Sequence, residues 1–123
     1  MNPIAKILII EDSYFNQILV ESLVSSWGYD TQTCSRADNG LETLATDSTI
    51  KLVILDLMLP GMDGFEFLAK KRELGSDVPV IVLSAKSDGE SIRRVQELGA
   101  VEYLNKPLNT GVLKTKITNY LNQ

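Results

Sequence analysis

Short apolar runs alternate along this chain with segments whose apolar residues recur every three or four positions. Three of the runs, at residues 6–10, 52–57 and 78–83, are rich in Val, Ile and Leu. Runs of this length and composition predict strands that are buried on both faces. Weaker runs at residues 29–34 and 101–105 bring the predicted strands to five, and we expect the first of these two near an edge of the sheet.

Helical spacing fills the intervals between the strands. The predicted helices cover residues 13–27, 39–46, 63–74 and 87–98, and a last helix begins at Asn109 or Thr110. Asp63 and Ser87 each precede a glutamate by three residues, which is the spacing of a capping box. The apolar positions of the first and last helices are Phe15, Ile18, Leu19, Leu23 and Trp27, and Leu113, Ile117, Tyr120 and Leu121.

The order of these elements is a strand followed by a helix, repeated five times. Nearly continuous apolar strands that alternate with helices predict a parallel sheet covered on both faces. Right-handed crossovers then give a doubly wound, flavodoxin-like α/β fold with five helices, and 2-1-3-4-5 is the expected strand order. Because the chain has 123 residues and no linker-like segment, we expect one domain over residues 1–123.

The composition and net charge argue against several classes of function. The chain has no histidine, which excludes a Ser-His-Asp triad and most zinc sites, and its single cysteine, Cys34, fits a reducing compartment. A net charge of −4 argues against direct nucleic-acid binding. The sequence has no signal-peptide pattern and no apolar run of membrane-spanning length, so we expect a cytoplasmic protein without membrane contact.

Polar residues stand at the ends of four predicted strands. Glu11 and Asp12 follow the first strand, Asp56 ends the third, Ser84 follows the fourth and Lys106 follows the fifth. Each has an ordinary structural explanation, such as a helix cap or a solvated charge, except Asp56, which lies in the most apolar stretch of the chain. Ligands bind such sheets at the carboxyl ends of the strands. We therefore expect these five side chains to form one site.

Three carboxylates at one edge repel each other and require a cation. Lys106 supplies one positive charge, and an oxygen-rich cluster is also the kind of site that Mg²⁺ prefers. A metal held by Asp12, Asp56 and a backbone carbonyl would leave room for phosphoryl oxygens. Asp56 could then attack phosphorus, with Lys106 and the Ser84 hydroxyl balancing the charge on the equatorial oxygens.

Four segments of the chain are characteristic together: Ile9-Ile10-Glu11-Asp12, residues 55–64 around Asp56, residues 79–85, and Tyr103-Leu104-Asn105-Lys106-Pro107. With them the chain resembles, over essentially its whole length, the receiver domain of two-component response regulators in its chemotaxis-regulator-like form. The family fold agrees with the strand order expected from the hydrophobic pattern.

The resemblance implies a role for each residue of the expected site. Asp56 would be the phosphoryl acceptor, Asp12 and Glu11 the Mg²⁺ acid pair, with Glu11 acting mostly through water, and the Met58 carbonyl a third protein ligand. Lys106, joined to Pro107 by a bond that is cis in relatives, and Ser84 would contact the phosphoryl group, and Tyr103 would be the aromatic switch residue.

The resemblance also implies partners. A histidine kinase or phosphotransfer protein would donate the phosphoryl group, and a downstream protein would bind the surface of the fourth helix, fifth strand and fifth helix. A homodimer is a further expectation. The domain would be a phosphoacceptor and not a conventional enzyme, although it catalyses its own phosphorylation and dephosphorylation. Met58 and Lys86 occupy positions that tune self-dephosphorylation in relatives, and an apolar Met58 predicts only moderate self-hydrolysis.

Several alternatives stay open. The chain could be a receiver excised from a hybrid histidine kinase, or a binding module that acts without phosphorylation. A haloacid-dehalogenase-type phosphatase would need Asp-x-Asp after its first strand, which is absent here. A flavodoxin-like electron carrier would need a hydroxyl-rich phosphate loop at that place.

The segment between Gly28 and Gly40 is about three residues longer than the resemblance leads us to expect, which leaves the second strand and second helix uncertain.

Overall fold

A parallel five-stranded sheet in the order β2-β1-β3-β4-β5 forms the centre of the molecule. The computed structural model describes residues 4–86 and 88–121. The strands are β1 Lys6–Ile10, β2 Asp30–Cys34, β3 Ile50–Asp56, β4 Val80–Ser84 and β5 Glu102–Asn105. The helices are α1 Tyr14–Ser26, α2 Ala37–Thr46, α3 Gly64–Glu73, α4 Gly89–Glu97 and α5 Thr110–Leu121. The predicted fold and strand order are confirmed.

The sheet is covered by helices on both faces because its central strands are apolar on both sides. Alternate residues of β1 point to opposite faces, so Leu8 and Ile10 join one core cluster while Ile7 and Ile9 join the other. Side chains of α2, α3 and α4 complete the first cluster. Side chains of α1 and α5, among them the buried Leu113 and Ile117, complete the second.

Side-chain caps fix the starts of α1, α3 and α4, whereas α2 has none. The Asp63 carboxylate accepts a hydrogen bond from the Glu66 amide at the start of α3, as the capping-box pattern predicts. At the start of α4 the cap is Asp88, which accepts from the Ser91 amide. Ser87, the predicted cap, lies outside the described residues. Because helix starts lie at the carboxyl edge of the sheet, these caps also shape the loops around the site.

Helix α1 forms where its spacing predicts, but it leaves most of the apolar positions that define this spacing exposed. Its core-facing residues are Val20 and Val24, whereas Phe15, Ile18 and Leu19 are exposed. The helix carries two overlapping apolar stripes, and packing against the sheet selects the one with the smaller β-branched residues. An apolar surface is therefore left on the outside of α1.

The second strand and helix, which the sequence left uncertain, are both present. β2 pairs with β1 from Lys6 opposite Asp30 to Ile10 opposite Cys34. Only two residues separate β2 from α2, which begins at Ala37, two residues earlier than predicted. Within the described ranges, the structure contains no helix with the length and apolar character needed to cross a bilayer.

Candidate functional site

The strand register brings the predicted site residues to one edge of the sheet. Asp56, the last residue of β3, lies opposite Leu83 of β4, and Ser84 lies opposite Asn105 of β5. Glu11 and Lys106 directly follow β1 and β5. All four positions are therefore at carboxyl ends of neighbouring parallel strands, where α/β sheets bind ligands.

Three carboxylates meet at the centre of this edge. One oxygen each from Glu11, Asp12 and Asp56 can be chosen so that all three lie within 4.8 Å of one another. Glu11 and Asp56 are only 5% and 7% exposed, while Asp12 is open to solvent. At 4 Å and an effective dielectric constant near 20, two such charges repel by about 4 kcal/mol. The cluster is therefore electrostatically costly unless cations accompany it.

Lys106 is the cation that the chain itself provides. Its Nζ lies 3.4 Å from Glu11 Oε1 and 3.3 Å from Asp56 Oδ2, so one ammonium bridges two buried carboxylates. The Lys106–Pro107 peptide bond is cis, as the resemblance implies. With all three carboxyl groups ionised, the three carboxylates and one ammonium give the edge a formal charge of −2.

The pKa of Glu11 is raised in this environment. Burial, together with the neighbouring carboxyl of Asp56, raises the pKa of Glu11 to about 7, although hydrogen bonding from Asn16 and the charge of Lys106 oppose the rise. The raised pKa favours the protonated form of Glu11 as pH falls below neutrality in the metal-free chain. A bound divalent cation would favour the ionised form of Glu11 and release that proton.

The oxygen cluster fits Mg²⁺ in its chemistry. Its donors are carboxylates, which are hard ligands of the kind that Mg²⁺ and Ca²⁺ take, and the cluster contains no sulfur or imidazole. The formal charge of −2 matches a divalent ion. Asp12 is exposed, so the cluster is accessible from solvent.

The loop after β3 holds Asp56 through the backbone. The Met58 amide donates a hydrogen bond to Asp56 Oδ1 at 3.1 Å, and the Met58 side chain is 59% exposed beside it. Gly64, at the start of α3, approaches this loop so closely that a Cβ would lie 2.8 Å from the Leu57 Cα. Only glycine allows α3 to begin this near to the Asp56–Leu57 backbone.

Ser84 and Tyr103 lie on the β4–β5 side of the site. Ser84 is fully buried, and its Oγ accepts a hydrogen bond from the Lys86 amide at 3.1 Å. Tyr103 packs against the core cluster under α4, and its buried hydroxyl has no hydrogen-bond partner among the described residues. Burial raises the pKa of Tyr103. The Tyr103 ring therefore already points inward in this structure.

Sequence reasoning missed two amides of α1 that contact Glu11. The Asn16 side chain donates to Glu11 Oε1 at 2.8 Å, and the Gln17 side chain donates to the Glu11 carbonyl oxygen. The only signal was their position, one helical turn after the acid pair. Next to them an open cavity of about 200 Å³, walled by apolar residues such as Leu19 and Leu108, extends from the carboxylates between α1 and the Lys106 loop.

Comparison with known proteins agrees with this geometry. The family model of the response regulator receiver domain matches residues 7–118. The chain belongs to the response regulator receiver family. Receiver domains are phosphoacceptor modules of two-component systems, generally use Mg²⁺ and interact with histidine kinases or phosphotransfer proteins.

Individual receiver proteins show how far the similarity extends. Sporulation initiation phosphotransferase F of Bacillus subtilis (strain 168) is 34% identical over 118 residues, covering 94% of this chain and 93% of that protein. The uncharacterized transcriptional regulatory protein YbdJ of the same organism is also 34% identical, over 94% of this chain but only 50% of its own length. The crystal structure of a CheY-like receiver from Methanospirillum hungatei JF-1 superimposes with a TM-score of 0.91 at 26% identity, covering 98% of this chain and 95% of that one.

Proposed function

We propose that this receiver accepts a phosphoryl group on Asp56, in the presence of Mg²⁺, from the phosphohistidine of a histidine kinase or phosphotransfer protein. The observation that carries the proposal is the buried carboxylate of Asp56, which is bridged by Lys106 inside a cluster of formal charge −2. Such a cluster suits a divalent ion and a transferred phosphoryl group. The proposal treats residues 1–123 as one receiver domain, which is supported by elements that extend from Lys6 to Leu121.

Asp56 is the nucleophile of the proposed transfer. One of its oxygens forms the new P–O bond while the P–N bond to the donor imidazole breaks, and the imidazole nitrogen keeps the electron pair of the broken bond. Its Oδ1 accepts from the Met58 amide and its Oδ2 faces Lys106, so the carboxylate is held in one orientation before the donor arrives. Orientation of this kind lowers the entropic part of the barrier.

Asp12, Asp56 and the Met58 carbonyl would hold Mg²⁺, with Glu11 contributing through water. When bound, the ion supplies positive charge that balances the carboxylates and the phosphoryl oxygens. The three carboxylates belong to the cluster described above, whereas the ligand role of the Met58 carbonyl rests on the family resemblance.

Lys106 and Ser84 would stabilise the phosphorylated state. Lys106 already contacts Asp56 and can follow the negative charge onto the phosphoryl group. Ser84 Oγ accepts one hydrogen bond from the Lys86 amide, so its own hydrogen is free to donate to a phosphoryl oxygen. Movement of Ser84 toward the phosphoryl group would then pull on the Lys86 backbone.

We infer that the output surface comprises α4, β5 and α5, with Tyr103 at its centre. Tyr103 is already inward, so phosphorylation would shift an existing equilibrium toward this position and not create it. Tyr103 is adjacent to Glu102, which pairs with Lys116 of α5 at 2.8 Å. A change in the position of Tyr103 would therefore alter the surface to which a downstream protein, or a second receiver in a homodimer, binds.

The phosphodonor would dock on the exposed apolar surface of α1. Tyr14, Phe15, Ile18 and Leu19 are between 40% and 76% exposed, and the first two lie in the first turn after the acid pair. Large apolar side chains clustered beside a reactive group mark a protein-binding site. We call these four residues the α1 patch.

Transfer from a small phosphodonor tests the acceptor. The purified chain, incubated with acetyl phosphate and Mg²⁺, should gain one phosphoryl group in an intact-mass spectrum, and Asp56→Asn should gain none. Asp30→Asn, which removes a carboxylate at the start of β2, should behave like the wild type. EDTA should prevent the gain. Phosphorylation of Asp56→Asn, or its absence in the wild type, would refute the proposal.

A further inference from the structure

We propose that Asn16 is a positioning residue that orients the Glu11 carboxylate for the metal. This inference rests on the proposed Mg²⁺-dependent function and assigns a part of it to a side chain of α1. Asn16 Nδ2 donates to Glu11 Oε1 at 2.8 Å, which is shorter than the 3.4 Å from Lys106 Nζ to the same oxygen. The neutral amide, and not the ammonium, is thus the nearer donor to this carboxylate.

The chemistry of the amide explains why it suits this place. A carboxylate that shares its burial with Asp56 needs a donor to hold its orientation, because a free rotamer would turn away from the neighbouring charge. A second cation would provide that donor but would also repel Mg²⁺. Asn16 holds one Glu11 oxygen without changing the net charge of the cluster.

The fold fixes Asn16 independently of the metal. Its backbone amide donates to the Ser13 cap at 3.4 Å, so it stands in the first turn of α1 with its side chain directed back toward Glu11. The adjacent Gln17 side chain binds the Glu11 carbonyl oxygen. Two consecutive amides therefore hold one metal-site residue at its backbone and at its carboxylate.

Calorimetric titration with Mg²⁺ separates this role from a structural one. Asn16→Leu keeps the approximate shape but removes the donor, and should weaken Mg²⁺ binding about tenfold. Asn16→His keeps an N–H at nearly the same position and should restore affinity to within about threefold of the wild type. Asn119→Leu, which removes an exposed amide of α5, should bind like the wild type. Urea midpoints measured in EDTA report any loss of folding.

The outcomes distinguish this inference from the proposed function. If the wild type binds Mg²⁺ and Asn16→Leu binds it equally well, the positioning role is refuted while the phosphoacceptor proposal stands. If Asn16→His binds as weakly as Asn16→Leu, the hydrogen bond is not the cause, and the role is again refuted. If the wild type binds no Mg²⁺, both the inference and the metal part of the proposed function fail.

Discussion

The two edges of the sheet differ in how their charged side chains are balanced. At the amino edge, Lys6 and Asp47 form a pair at 2.9 Å, and hydrogen bonds from Thr49 and Lys6 lower the pKa of Asp47 to about 2. At the carboxyl edge, burial and a neighbouring carboxyl raise the pKa of Glu11 to about 7. Charges that are balanced within the chain stabilise its structure. Charges that are left in excess indicate a site completed from outside.

The pH dependence of stability should differ most between these two carboxylates. The folded pKa of Glu11 is about 7 against an ordinary value of 4.5, so the metal-free chain should lose up to about 3 kcal/mol of stability as pH rises through this interval. Glu11→Gln removes the titration and should be more stable than the wild type at pH 8. Urea unfolding at pH 5 and pH 8 in EDTA measures the effect.

Asp47→Asn is the matched control at the amino edge. Because the pKa of Asp47 is lowered, its contribution is present above the ordinary value of 3.8 and is lost as pH falls toward 2. Asp47→Asn should therefore lower stability equally at pH 5 and pH 8. The contrast between the edges would be disproved by a wild-type chain whose stability does not change between these pH values.

Along the carboxyl edge itself, backbone packing should be less tolerant next to Asp56 than at the start of α4. Gly64 and Gly89 both begin helices directly after an aspartate cap, but a Cβ on Gly64 would meet the Leu57 backbone while one on Gly89 would meet nothing within 4 Å. Gly64→Ala should cost about 1–3 kcal/mol and reduce phosphorylation of Asp56, because it displaces the loop that holds the acceptor. Gly89→Ala should leave both nearly unchanged. Equal urea midpoints for the two variants would show that the approach of α3 to this loop is not tight.

The α1 patch should be needed for phosphoryl transfer from a donor protein, but it should contribute little to the stability of the fold. Phe15→Ser with Ile18→Ser should change the free energy of unfolding by less than about 0.5 kcal/mol each, since both side chains are exposed. Phosphorylation by acetyl phosphate should persist, whereas transfer from a phosphorylated histidine phosphotransfer protein should be lost. Leu74→Ser, at the C-cap of α3, removes an apolar residue whose exposure lies between those of Phe15 and Ile18, and it should affect neither stability nor transfer. Unchanged protein-to-protein transfer would place the docking surface elsewhere.

The hydrophobic pattern was sufficient for the fold and for the location of the site. Nearly continuous apolar strands require cover on both faces, and polar residues at strand ends must then meet at one edge. The pattern could not say which side of α1 is buried, because Leu19 and Val20 belong to overlapping stripes and only contact with the sheet separates them. It also could not reveal Asn16, since a hydrogen bond between a helix and the loop before it depends on three-dimensional geometry.

Mg²⁺ binding measured by isothermal titration calorimetry at pH 8 tests the central claim most directly. The excess charge at the carboxyl edge predicts one ion per wild-type chain, loss of binding in Asp12→Asn, and unchanged binding in Asp47→Asn at the opposite edge. Equal binding by the wild type and Asp12→Asn, or no binding by the wild type, would contradict the account.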